Sequence, residues 1–211
     1  MKFKKIYLAP NIIHLKFKRQ KDLTRFFMRF QEHFESPEFR GKIFTIAEFK
    51  KWYKKEKKSK KFTYYKDWTG FNIPSRILKP FVLGKFDPLT KFEKIFLDLT
   101  KNEEGRFYVI GTFKNGDLRH EVAHALFYVN PAYRREVKKI LKTMDLKIFY
   151  DQFKQMGGYH PSVWLDETHA YLMEPDKKWF KDEFGFPVSK FGKQRKRLLA
   201  VFKKYKPAEL S

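Results

Sequence analysis

Residues 117 to 131 read DLRHEVAHALFYVNP, and no other stretch narrows the possible folds as much. Leu118, Val122, Ala125, Leu126 and Val129 recur with the period of an α-helix and form one apolar face. His120 and His124 are four residues apart, so they stand one above the other on a different face of that helix. Such a helix puts one side into a core and presents two of the chain's six histidines on the other. Two imidazoles so placed can ligate one Zn²⁺ at about 2.0–2.1 Å each. Glu121 is one helical step away, too far round to join the same ion easily, but able to reach a water on it. Ala123 is small and leaves room beside the pair. Chance would give H-E-x-x-H about once in a hundred chains of this make-up, which weighs against two incidental histidines on a packing helix.

Composition limits the rest. The chain has 211 residues, 42% of them hydrophobic and 19% aromatic, enough for one good core with room for two lobes. It contains no cysteine, so disulfides and thiolate zinc sites are excluded and any metal must be held by His, Asp or Glu. No apolar run reaches the length of a membrane span. The N-terminus, MKFKKIYLAPNIIHLKFKRQ, starts basic like a signal peptide. Its apolar part is short, interrupted by Pro10 and Asn11, and lacks a small-residue cleavage site. Two short strands and a cytoplasmic protein are expected. The net charge of +23 points to polyanions such as nucleic acid. Lysine supplies 36 of the 47 basic residues and arginine 11, however, and planar phosphate recognition favours arginine. The excess reads as a solvated surface with at most weak polyanion binding.

The hydrophobic pattern predicts strands at KKIYLA and IIHLKFK and a helix over 21–35. Thr45 and Glu48 form a T-x-x-E capping box, with Phe44 and Phe49 as hydrophobic staple, for a helix over about 46–58. FTYYKDWTGFNIPS is an aromatic packing segment with a turn at Gly70 and a stop at Pro74. Asp87 as cap and Pro88 at the first position predict another helix. A buried strand follows over 106–113. KNGD then turns the chain, and Asp117 can cap the motif helix. Pro131 opens a helix to about 143, MGGYHP is a loop, and helices are expected over 162–173 and in GKQRKRLLAVFKKYK. A soft boundary near residue 84 would separate an N-terminal α+β portion, 1–84, from a catalytic portion, 85–211.

Strand, motif helix and later helix, about residues 106–175, resemble the zincin metallopeptidases. The resemblance implies a small mixed or antiparallel sheet packed on the active-site helix, with a largely helical remainder. It also implies a rim strand, here 106–113, that pairs with extended substrate, and a third protein ligand downstream. The candidates are His160, Asp166, Glu167 and His169. Glu167 and His169 lie about 200° apart on a helix and cannot both face one ion. Ala170 would allow close approach to the motif helix. DETHAYL looks like the third-ligand helix of gluzincins, which implies Glu167. Thermolysin-like gluzincins often carry an Asp four residues after that Glu, where this chain has Tyr171. The partner that orients a metal histidine must then come from elsewhere, from Asp166 or Glu174.

The expectation is an α+β, zincin-like, gluzincin-type metallopeptidase. One Zn²⁺ per chain would be held by His120, His124 and Glu167, and a metal-bound water would be activated by Glu121 to hydrolyse peptide or protein substrates. Tyr159, His160 and Tyr171 are candidate oxyanion donors, and Gly157–Gly158 could hinge the loop carrying the first two. The alternatives are a polyanion-binding module and an inactive or latent zincin. The first would use Lys193, Arg195, Lys196, Arg197, Lys203 and Lys204 around Leu198, Leu199, Phe202 and Tyr205.

Overall fold

The computed structural model describes residues 2–114 and 118–210. The expected KNGD turn and Asp117 cap fall largely outside them. The chain divides into two compact units, 1–116 and 117–211. The first contains β1 (Phe3–Ala9), β2 (Ile12–Phe17), α1 (Gln20–Glu35), α2 (Ile46–Glu56), β3 (Gly70–Pro74), a short α3 (Lys79–Val82), α4 (Lys91–Thr100) and β4 (Tyr108–Phe113). The second contains α5 (Leu118–Val129), α6 (Pro131–Leu141), α7 (Lys147–Met156), α8 (Trp164–Tyr171), α9 (Lys177–Phe184) and α10 (Gly192–Tyr205). The protein is thus α+β.

In the first unit the strands form one mixed sheet in the order β1-β2-β4-β3. β1 and β2 make an antiparallel hairpin. β4 runs parallel to β2, from Ile12↔Tyr108 to Phe17↔Phe113, and antiparallel to β3. This arrangement corrects two expectations. A boundary near residue 84 would cut through the sheet, because β4 completes what β1 and β2 begin. Moreover, β4 has strand neighbours on both sides, so its backbone is already paired and cannot serve as a rim strand for substrate. The Gly70–Pro74 segment, expected as turn and stop, is the strand that occupies one of those sides.

α1 lies on the sheet. Its Leu23, Phe26, Phe27 and Phe30 are fully buried, as the 3.6-residue spacing requires. Gly111 in β4 permits the close approach: a Cβ there would stand 2.4 Å from Phe27 and 2.6 Å from Leu23. Phe27 stacks on Phe71 of β3 at 5.6 Å and meets Phe96 of α4 edge-on at 5.2 Å. The same helix buries charge. Arg29 donates from Nε and Nη2 to the two carboxylate oxygens of Glu93 at 2.7 and 2.6 Å. Glu93 also accepts from the Thr90 amide at 2.7 Å, closing the capping box that starts α4. That box, not Asp87 and Pro88, sets the start of this helix. The Thr45–Glu48 box forms as expected, and α2 ends at Glu56.

In the second unit Asn130 caps α6, its Oδ1 accepting from the amides of Ala132 and Tyr133 at 3.0 Å each. α7 and α9 have no counterpart in the sequence-based assignment. They bury Phe149, Phe153, Phe180 and Phe184 against one another. Gly157, expected as a hinge, adopts φ 66° and ends α7 as its left-handed cap. α10 buries Leu198 and Phe202. Its Arg195 donates to the carbonyls of Leu172 and Glu174 at 3.1 and 2.8 Å, beyond the end of α8. Lys204 and Tyr205 both reach Glu136 of α6, at 2.8 and 2.6 Å. Two of the six cations considered for polyanion binding therefore hold helices of this unit together. No helix of the described residues is long and apolar enough to cross a membrane.

Candidate metal centre

His120, His124 and Glu167 form a group that could hold a metal ion, one ligand atom from each lying within 4.8 Å of the others. α5 supplies both imidazoles. Its face with Val122, Ala125 and Leu126 is buried, which fixes the rotation of the helix. α8 supplies Glu167, and the fully buried Ala170 one turn on leaves space between the helices. His120 Nε2 and His124 Nε2 stand 3.1 Å apart. Glu167 Oε1 is 3.6 Å from His124 Nε2, and its Oε2 is 4.0 Å from His120 Nε2. Ligand atoms of a tetrahedral site with bonds of about 2.0–2.1 Å stand about 3.3 Å apart. The two imidazole nitrogens are close to that spacing already, while Glu167 turns one oxygen toward each histidine and stands somewhat wider.

The donor set fits a divalent cation. Glu167 Oε2 is buried and has no hydrogen-bond partner, a costly state for a carboxylate oxygen. Two imidazole nitrogens facing each other at this distance need a proton or a metal between them. Burial, joined by the cationic His124, pushes the His120 imidazole well below its usual range. Burial acts the same way on His124, but the carboxylates of Asp166 and Glu167 outweigh it and raise that imidazole to about 10. Burial and the neighbouring Asp166 and Glu121 raise the Glu167 carboxyl, against the pull of His124. Asp166 is also penalised by burial, yet His124 holds its carboxyl down at about 2. A dication in this group would balance the charges of Asp166 and Glu167 while leaving both imidazoles neutral.

The remote ring nitrogens are also placed. Asp166 Oδ2 lies 3.1 Å from His124 Nδ1, while the ring of His120 bonds to the backbone carbonyl of Ala170. α8 thereby orients both imidazoles as well as contributing a carboxylate. The place of the expected Asp is taken by Asp166, directly before Glu167. Glu174 instead accepts from the Asp176 amide at 3.1 Å.

Glu121 is buried at 8% exposure on α5, between the two histidines in sequence. Tyr171 packs its ring on His120 with centroids 4.9 Å apart, and its hydroxyl lies 2.8 Å from that of Tyr159. The Trp164 indole N–H donates to the Tyr159 carbonyl at 3.0 Å, tying that loop to α8. His160 has a different use, capping the short turn at 161–163 through Ser162. His169 is not among the grouped ligands. It has 0% exposure, with Nε2 2.7 Å from the Tyr133 hydroxyl. The three-residue spacing of Asp166 and His169 puts them on one helix face and was readable in the sequence. The arrival of Tyr133 from α6 carried no sequence signal.

Comparison with models of protein families, with curated proteins and with solved structures found no match.

Proposed function

We propose that the protein is a zinc metallopeptidase of gluzincin type, with one Zn²⁺ held by His120, His124 and Glu167. The observation that carries this reading is the convergence of those three side chains, with His120 Nε2 and His124 Nε2 3.1 Å apart and one ligand atom from each residue within 4.8 Å of the others, and with Glu121 following His120 on the same helix. Three protein ligands leave a fourth position open, which is the pattern of catalytic rather than structural zinc. Bound there, Zn²⁺ supplies Lewis acidity to a water and to the scissile carbonyl. Glu121 is the proton carrier: its carboxylate takes a proton from the attacking water and hands it to the departing amine nitrogen. Asp166 keeps the His124 ring turned so that Nε2 presents its lone pair to the ion. The Tyr171 ring packs on His120 and its hydroxyl meets that of Tyr159, and these two hydroxyls are assigned to the developing oxyanion. A zincin-like fold belongs to the same proposal.

Elemental analysis of the purified protein should find about one zinc per chain, and a mixed peptide library should be cleaved. Glu121→Gln should retain the zinc and lose at least about 100-fold in turnover, since Gln keeps the shape but cannot carry the proton. A protein that holds no zinc, and takes none up when it is added back, overturns the reading. Zinc binding with no cleavage would make the chain an inactive relative.

A further inference from the structure

We propose that His169 and Tyr133 are positioning residues for the metal centre, acting through Asp166 on His124. The inference rests on the metal-site reading above and extends it by two residues. Three helices of the second unit contribute. From α6, the Tyr133 hydroxyl lies 2.7 Å from His169 Nε2. From α8, His169 Nδ1 faces Asp166 Oδ1 at 3.5 Å, and Asp166 Oδ2 faces His124 Nδ1 of α5 at 3.1 Å.

The chemistry of the line assigns its protons. His169 Nδ1 and Asp166 Oδ1 are both buried and face each other at 3.5 Å, and they are complementary, a ring N–H and a carboxylate oxygen. A lone pair on Nδ1 would point at that carboxylate and at the Asp166 backbone carbonyl, which also faces the ring. Nδ1 therefore carries the proton and Nε2 the lone pair, so the Tyr133 hydroxyl donates to it. The ring is then held at both ends. Phe127 stacks on one face at 5.5 Å, and Tyr133 meets it edge-on. Tyr133 is itself fixed by the Asn130 cap at its amide and by the Tyr205 ring at 5.7 Å. A fully buried imidazole packs no better than an apolar ring and loses its hydration. Its presence makes sense if it stops Asp166 from rotating away from His124.

The test compares the wild type with Tyr133→Phe, Asp166→Asn and the double variant. Circular dichroism checks folding, and competitive titration reads the affinity for Zn²⁺ alone. Loss of a group that orients a metal histidine typically costs about 10- to 100-fold in affinity. Asp166→Asn should fall in that range and Tyr133→Phe near its lower end. The double variant should bind no more weakly than Asp166→Asn, because Tyr133 acts through Asp166. Long-range ¹H–¹⁵N spectra of the wild type should show His169 as the Nδ1–H tautomer, a signature that mere packing does not require. An Nε2–H tautomer overturns the proposal whether or not the variants fold. Unchanged affinity in Tyr133→Phe, or additive losses in the double variant, overturns it while leaving the metal site standing. Failure of the wild type to bind zinc at all overturns both.

Discussion

Asp166 and Glu167 are neighbours in sequence with the same functional group, and the structure gives them different work. One helical step and one methylene separate them. Glu167 reaches Nε2 of His124 and Asp166 reaches Nδ1 of the same ring. Replacing the two should therefore have different effects. Glu167→Ala should cost more than about 100-fold in zinc affinity, since it removes a ligand rather than an orienting group. His160→Ala should leave affinity within about threefold of wild type, because the ring caps a turn through Ser162 and is not one of the grouped ligands. Competition titration against a chelating dye would measure both. A larger loss for His160 than for Glu167 would mean that the third ligand is misassigned. At this scale the sequence was legible where spacing carries geometry: a step of four from His120 to His124 and of three from Asp166 to His169. It was not legible for Tyr133, whose partner is 36 residues away and is chosen by helix packing.

At the scale of elements, α1 shows why amphipathic pattern alone misjudges a helix. The phenylalanines predict its buried side, but Arg29 and Glu32 are buried too, because α4 and the residues around Tyr64 cover what the pattern assigns to water. The Tyr64 hydroxyl donates to Glu32 Oε1 at 2.6 Å. Burial nonetheless dominates and raises the Glu32 carboxyl to about 7; Tyr64 and Ser36 oppose the shift, and Asp67 adds to it. A carboxyl raised in the folded state stabilises fully below its unfolded value, near 4.5, and loses that contribution as pH rises through about 7. Glu32→Gln mimics the protonated form at every pH. Relative to wild type, its stability in urea denaturation should therefore improve by about 3 kcal/mol between pH 4.5 and 8. Taking the difference between the two proteins cancels the opposite trend from His14, buried and held down at about 4. A flat difference would mean that Glu32 stays ionised. Capping boxes with their own residues in the window, such as Thr45 with Glu48, were readable. The Thr90–Glu93 box was equally present in the sequence but was overshadowed by the Asp-Pro pair before it.

For the whole molecule, all three proposed ligands lie in residues 117–211, on α5 and α8. Metal binding should accordingly stabilise those helices by mass action. Stripping zinc with a chelator should speed amide hydrogen exchange in α5 and α8, and adding it back should restore protection. Exchange in those helices that ignores the metal would contradict the ligand set. Helix and strand identity was largely legible along the chain, while the order of strands was not, because nothing local tells β4 to pair with β2. That pairing joins Ile12 to Tyr108, and it has a consequence for how the chain comes off the ribosome. The β1–β2 hairpin is made first, yet one edge of β2 stays open while some ninety further residues are synthesised. Contacts this distant in sequence slow folding, and an unpaired strand edge invites association. Nascent chains stopped just before residue 106 should aggregate, whereas chains long enough to release β4 should stay dispersed.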